Sequence, residues 1–417
     1  MKKVLFIAYN CPPVGGGGVL RTAKFLKFLQ HFGWNPIVVT AKPAKVSNFD
    51  VKLLKEIPSD ILLHRVKGIT PFFLLRALKK IGLSVIRQWL ERHCFIPDKM
   101  AGWVPFACRM SSKLINKHSC EVIYTTSPPH STHLIGLRLK KRFPHIPWVA
   151  DFRDAWCENP FRQFSRDSHR YMREEKMEQA VFASADALIF NTVSCRDAHI
   201  KKYQSLIREK SFVIPNGFDQ SDFNSLIPQK EPMFTILHAG SLYGIRSLQP
   251  LLDGLEHFCA TYPDYRNKIR IIFLGHLIIE KKRENCAFKV ADMFFFQDFV
   301  PHQEALQKMK NADLLLLITG KHETDIMIPC KFYEYMGARV PILALTDKGE
   351  LSAILTEAQL GKWLDGNNPA EISAFLYDKI QNRTHFSGSK INEEIISRYD
   401  RRFQTGQLAG IFNELVK

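Results

Sequence analysis

No stretch of this sequence approaches the roughly 20 consecutive apolar residues that a bilayer-spanning helix needs. Runs such as Leu314–Ile318 have the length of a buried strand instead. The opening Lys2-Lys3-Val4-Leu5-Phe6-Ile7-Ala8 imitates an export signal. Its apolar part stops at Asn10-Cys11-Pro12-Pro13 without a small-residue cleavage site, so it reads as a first buried strand and the expected location is the cytoplasm. Closely spaced cysteines are missing too. The nine present stand no nearer than Cys108 and Cys120 and form no CxxC, which argues against a zinc ribbon or a thioredoxin-type pair and for a reducing compartment. Internal repeats, low-complexity tracts and heptad arrays are absent as well.

Acidic residues are in short supply. Asp and Glu number 41 against 58 Lys and Arg, a net charge of +17. That excess favours anionic partners: nucleic acid, phosphorylated substrates or an acidic membrane surface. What remains is ordinary globular composition, 46% hydrophobic and 24% charged over 417 residues, which excludes a disordered or disulfide-stapled chain and suggests two domains.

Short runs rich in Val, Ile, Leu and Phe alternate with amphipathic stretches, the pattern of buried parallel strands flanked by helices. In the first half strands are expected at 4–9, 36–40, 61–65, 122–126, 148–151, 187–191 and 212–214, with helices including 20–32, 72–92 and 168–183. The second half repeats the rhythm with strands at 234–239, 269–274, 294–299, 313–318 and 341–345, and helices including 248–259, 304–310 and 330–337. Turn formers gather from Pro215-Asn216-Gly217-Phe218-Asp219 to Glu231-Pro232. The α/β reading is therefore two doubly wound, Rossmann-like domains, 1–219 and 220–395, facing a central cleft, with a last segment 396–417. Ligands of such sheets sit beyond the carboxyl ends of the strands, so functional motifs should follow strands.

They do. The loop Pro12-Pro13-Val14-Gly15-Gly16-Gly17-Gly18 follows the first strand and opens a helix bearing Arg21 and Lys24, a place where backbone and helix N-terminus can meet an anion. It lacks the spacing of a dinucleotide fingerprint or a P-loop. A second strand end carries Ser127-Pro128-Pro129-His130-Ser131, whose hydroxyls suit a sugar or phosphate, or simply cap a helix. His130 and His133 share HxxH spacing without further ligands, a poor metal site. A third carries Asp151-Phe152-Arg153-Asp154, two acids and a base that either position a hydroxyl or form an internal Arg–Asp pair. In the second half, Gly240 and Ser241 permit close backbone approach and Arg246 offers a planar fork for phosphate. Pro329 precedes a helix on which Lys331 and Glu334, three apart, share a face; a glutamate suits ribose hydroxyls and a lysine a diphosphate.

Together these motifs resemble the retaining glycosyltransferases of family 4, of the GT-B type. The resemblance rests on the glycine loop, Asn216-Gly217-Phe218-Asp219, Gly240 with Arg246, and Pro329-x-Lys331-x-x-Glu334-Tyr335-Met336-Gly337. Ser127-Pro128-Pro129-His130 and Asp151-Phe152-Arg153-Asp154 are similar to the branch that builds bacterial surface polysaccharides. The resemblance implies a nucleotide-sugar donor as substrate, with no cofactor and no metal, and the sequence has no D-x-D triplet. Glu334 would bind the nucleotide ribose, Arg246 and Lys331 the diphosphate, and Pro329, Gly240 and Ser241 would line that site. Gly16, Gly17 and Arg21 would approach the donor from the N-terminal domain. The acceptor would enter near Asp151 and Asp154, His130 and Arg153 would bind substrate, and the last helix, around 411–416, would pack back on the first domain. One position departs from the family: the acid eight residues before Glu334 is replaced by Ile326, with Glu323 and Asp325 nearby. The family's catalytic histidine has no counterpart, and the Asp151–Asp154 segment occupies about its place.

The branch implies an N-acetylhexosamine on UDP as donor and a lipid-linked or polysaccharide acceptor. Arg65–Ile96 holds seven basic residues and one acid interleaved with Phe72, Phe73, Leu74, Leu75, Ile81, Leu83, Val85, Ile86, Trp89 and Phe95, the composition of an interfacial helix. Peripheral attachment to the anionic inner face of the plasma membrane is therefore expected. Two other readings share part of this ground: a non-hydrolysing sugar-nucleotide 2-epimerase of the same fold, and a basic nucleic-acid-binding protein. The second would need a groove-reading module that the sequence does not contain.

Overall fold

A computed structural model of the chain describes residues 1–43, 49–69, 71–161, 164–242, 244–275, 289–383 and 391–417. The chain divides into two compact units, residues 1–216 with 401–417, and residues 217–400.

The first unit is built on seven parallel strands: β1 (Lys2–Ala8), β2 (Trp34–Ala41), β3 (Leu62–Val66), β4 (Val122–Ser127), β5 (Trp148–Phe152), β6 (Ala187–Phe190) and β7 (Ser211–Val213). Their spatial order is β3-β2-β1-β4-β5-β6-β7. Val4 stands opposite Pro36 on one side and Val122 on the other. Central strands in such a sheet are covered on both faces, which is why β1 is apolar at consecutive positions; Val4 through Ala8 are all buried. The helix Arg401–Leu415 completes this core. Its Phe412 packs edge-on against Trp34 and Tyr124, with ring centroids 5.2 and 5.9 Å apart, and Asn413 accepts the Trp34 indole N–H at 3.2 Å.

The second unit holds six parallel strands: β8 (Phe234–Ala239), β9 (Ile269–Leu274), β10 (Phe294–Gln297), β11 (Leu314–Ile318), β12 (Ile342–Leu345) and β13 (Gly361–Leu364), in the order β10-β9-β8-β11-β12-β13. Alternation of side chains sorts the core into two layers. Leu237, Leu315 and Ile342 pack with Phe332 and Met336 of the helix Cys330–Ala338. Ile236, Leu316 and Leu343 pack with Leu255 of Gln249–Thr261 and Leu376 of Pro369–Gln381.

Both expected doubly wound sheets are present. In each the strand order reverses once, between β1 and β4 in the first unit and between β8 and β11 in the second. A crevice opens there beyond the strand ends, and ligands of open α/β sheets bind in it. Two elements differ from the sequence reading. The helix expected over 72–92 is two, Phe72–Lys80 and Ser84–His93, because Gly82 takes a φ of +77° between them. The edge strand β13 was not expected; only its Leu364 is fully buried. Tyr243, within the expected loop after β8, and the side chains of Phe72, Phe73 and Leu74 lie outside the described residues.

Truncating a buried phenylalanine costs about 3–5 kcal/mol. Phe412→Ala should therefore destabilise the first unit by that amount in denaturant unfolding. Phe403→Ala, on the same helix but half exposed, should change stability by no more than about 0.5 kcal/mol.

Candidate functional site

The second unit gathers the expected donor residues at its switch point. Strand β8 ends at Ala239, whose backbone N–H is taken by the Tyr335 hydroxyl at 2.7 Å; that hydroxyl also donates to the Leu316 carbonyl at 3.2 Å. The helix carrying Lys331 and Glu334 is thereby pinned to the end of β8 and to the middle of β11. Gly240 follows with a φ of +150°, a conformation that disfavours any side chain. A Cβ there would lie 3.6 Å from Lys331 Cγ and 3.9 Å from His238 Nε2, so loop, lysine and histidine are neighbours. Pro329 occupies the N-cap of the helix Cys330–Ala338, fixing its first turn beside them.

Two ion pairs organise this corner. Arg246 donates from Nε at 3.0 Å and Nη2 at 2.5 Å to the carboxylate of Glu323, and its Nη1 reaches the Ser241 carbonyl at 3.4 Å. Glu323 is buried and also accepts the Gly320 backbone N–H at 2.8 Å. The loops after β8 and β11 are thus tied together across the switch point by one fork. Lys331 Nζ donates to Glu334 Oε2 at 2.6 Å, and His302 Nε2 lies 2.8 Å from the other oxygen, Oε1. Burial alone would raise the Glu334 pKa, but Lys331 and then His302 hold it well below the usual carboxylate range. Burial pushes His238 down to about 4, with Arg246 and Lys331 adding to the effect against the bond to the Leu316 carbonyl. His238 is therefore neutral at pH 7, with Nδ1–H donating to Leu316 at 3.0 Å. Both candidate cations lie within electrostatic reach of it.

The first unit brings its motifs together differently. Asp151, at the end of β5, is fully buried. Its Oδ2 accepts from Arg21 Nε at 3.0 Å, the Tyr124 hydroxyl at 2.7 Å and the Thr126 hydroxyl at 2.8 Å, and its Oδ1 from Arg21 Nη2 at 2.8 Å. Arg21, equally buried, spends Nη1 on the Pro215 carbonyl at 2.7 Å. These two residues, expected at the substrates, are committed to the framework: they lock the helix Gly17–Phe28 to the sheet. Asp154 is different. Its side chain is 24% exposed and meets Arg153 Nη2 at 3.2 Å. Arg153 in turn lies against the glycine loop, since a Cβ at Gly18 would fall 2.1 Å from its Nη1. Gly16 has a φ of +115° and Gly17 begins the helix. His130 stacks on Trp156, centroids 5.1 Å apart and planes 5° from parallel. Two glutamates of the helix His169–Ser184 hold that segment: Glu174 accepts the Trp156 indole at 3.2 Å and Glu178 the Cys157 N–H at 3.0 Å. The half-buried set around Arg153, Asp154, His130 and the glycine loop is thus carried on a buried polar scaffold.

His302 was not among the expected residues. Its signal in the sequence is positional: Pro301-His302 opens a helix shortly after a strand, as the other motifs do. Glu323 was read only as a nearby acid, and the structure makes it the partner of Arg246.

Three solved structures share the architecture of two parallel α/β units over the full chain. Anabaena Alr3699/HepE in complex with UDP-glucose is 15% identical, with a TM-score of 0.65, covering 99% of this chain and 100% of that one. WaaG, a glycosyltransferase involved in lipopolysaccharide biosynthesis, is 15% identical with a TM-score of 0.57, covering 99% and 98%. A putative UDP-N-acetylglucosamine 2-epimerase from Listeria monocytogenes is 13% identical with a TM-score of 0.57, covering 98% and 95%. At such identities the likeness establishes the fold, which is GT-B, and transferase and epimerase share it. The family match separates them: residues 15–222 match Glycosyltransferase Family 4. The chain belongs to that family and is a glycosyltransferase. No curated protein sequence matches it.

The fully buried and the half-buried acid of the first unit separate by substitution. Asp151→Asn leaves the Arg21 guanidinium buried without a counter-charge and should cost about 3–5 kcal/mol in chemical denaturation. Asp154→Asn should stay within about 0.5 kcal/mol of the parent.

Proposed function

We propose that the protein moves a sugar, with retention of anomeric configuration, from a nucleotide-sugar donor to a lipid-linked or polysaccharide acceptor during synthesis of a cell-surface glycan. The observation that carries this reading is the pairing of Arg246 with Glu323 and of Lys331 with Glu334 at the β8/β11 switch point. Two cations and a ribose-binding acid on one corner match the charges of a nucleoside diphosphate. The preferred donor is an N-acetylhexosamine on UDP. The UDP-glucose of the HepE complex and the lipopolysaccharide role of WaaG support the donor class and the biological setting.

The chemistry follows from where charge develops. As the bond between the sugar C1 and the diphosphate oxygen breaks, its electron pair passes to the leaving phosphate and the ring becomes cationic. Lys331 turns from Glu334 to that phosphate, and Arg246, still held by Glu323, adds its charge beside it, so that both stabilise the phosphate as it departs. The acceptor hydroxyl attacks C1 from the side the phosphate leaves, and its proton goes to a phosphate oxygen. Asp154, turned by Arg153, orients the acceptor. Neither residue forms a bond to the sugar.

A lipid-linked acceptor fits a membrane-docked enzyme. Among the described residues no helix is long and apolar enough to cross a membrane. The helix Ser84–His93 buries none of its residues, and Ile81, Val85, Ile86 and Trp89 are exposed beside Lys79, Lys80 and Arg92. An apolar stripe flanked by cations is the surface that an anionic leaflet attracts.

A thermal-shift panel of UDP, GDP, ADP and their sugars tests the donor site. One nucleotide should raise the melting temperature, Glu334→Ala should abolish the rise, and Lys331→Ala should lower kcat about 10²–10³-fold. A response unchanged by Glu334→Ala overturns the assignment.

Vesicle flotation tests docking. The chain should float with phosphatidylglycerol vesicles at low salt, remain behind in high salt or with neutral vesicles, and lose binding on Trp89→Glu. Binding that ignores both salt and lipid charge counts against it.

A further inference from the structure

We propose that His302 is a positioning residue for the donor: it holds one oxygen of Glu334 throughout the binding cycle, so that Lys331 can leave the other for the diphosphate. This rests on the reading of Glu334 as the ribose acid. Glu334 is a buried carboxylate, its side chain 6% exposed, and a buried charge stripped of its partner is strongly disfavoured. In the structure it has two partners of different character. Lys331, 33% exposed, is a compact charge on a four-carbon stem that swings readily. His302, 15% exposed, is a short, stiff side chain on the first residue of the helix His302–Asn311, directly after Pro301. The mobile cation is on Oε2 and the fixed ring on Oε1.

That division of labour defines a hand-over. A carboxylate only accepts, so Nε2 of His302 must carry a proton whether the ring is neutral or charged. When Lys331 turns to the phosphates, Oε2 is vacated for a ribose hydroxyl while His302 keeps the carboxylate paired and its plane fixed. Without His302, Lys331 is the only partner of Glu334 among the described residues, and releasing it for the donor becomes costly. The ribose contact and the phosphate contact would then compete for the same lysine.

The test uses the full chain and isothermal titration with whichever of UDP, GDP or ADP gives the largest thermal shift, beside its 2′,3′-dideoxy counterpart. The parent should prefer the diol. His302→Ala should weaken the natural diphosphate by about ten-fold, the scale of a charge-assisted hydrogen bond, and leave the dideoxy form nearly unchanged. His302→Gln, which keeps a side-chain N–H donor, should recover most of the preference. His302→Asn, too short to reach, stands in if the alanine variant melts early. Loss of the diol preference in Glu334→Ala together with its retention in both His302→Ala and His302→Asn overturns this inference while leaving the donor site standing. A preference that survives Glu334→Ala, or that the parent lacks, overturns the ribose reading and this inference with it.

Discussion

Two cations brought to one corner of a sheet have to be neutralised within it, and that constraint organises the second unit. Arg246 and Lys331 sit at the ends of two adjacent strands, where sheet topology makes a crevice and helix N-termini add positive potential. Left alone they would repel each other. Each is instead matched by a carboxylate within the same corner, Glu323 and Glu334. The pairs hold the side chains near their working positions and keep the corner rigid. On the proposed reading a diphosphate would replace Glu334 as the partner of Lys331, so that binding would exchange one ionic contact for another. Glu323 does a second task, since its bonds to Arg246 and to the Gly320 amide join the two switch-point loops.

The first unit solves a different problem with similar chemistry. Its glycine loop lacks side chains to fix it, so the framework must. The Arg21–Asp151 pair does so, with Tyr124 and Thr126 saturating the carboxylate and Pro215 taking the remaining arm of the guanidinium. Removing one partner of such a network is far more damaging than its net contribution to folding suggests. Arg153 and Asp154, one turn of chain away, remain accessible. Within a few residues the sequence alternates a fully buried acid with a half-buried one.

Most strands were legible because buried parallel strands are short runs of Val, Ile, Leu and Phe bounded by turn formers. Phe234–Ala239 and Ile269–Leu274 coincide with β8 and β9 to the residue. β13 escaped because Gly361-Lys362-Trp363-Leu364 is an edge strand with little burial to mark it. The break at Gly82 escaped because amphipathic spacing continues on both sides of it. At the site, a local relation could be read: Lys331 and Glu334 share a face because three residues nearly complete a helical turn. Non-local relations could not. Arg21 finds Asp151 across 130 positions and Arg246 finds Glu323 across 77; residue type alone marked Arg21 as a ligand contact when its charge was already spent. His302 reaches Glu334 from another helix, and nothing in its own neighbourhood names that acid.

The chain passes from the first unit to the second at 216–217 and returns at 400–401. Near these passages each unit closes its own side: Gln404 donates to the Asn216 carbonyl at 3.1 Å in the first, and Phe218 donates to the Tyr399 carbonyl at 3.1 Å in the second. The second unit is therefore an insertion held at both ends, with all its residues made before the helix that seals the hydrophobic centre of its host. During synthesis the inserted body can finish folding while the older, N-terminal sheet still exposes the groove meant for Phe412. The part of the protein translated first therefore completes its core only after the inserted unit has been made, because its seam stays open until the helix Arg401–Leu415 is present.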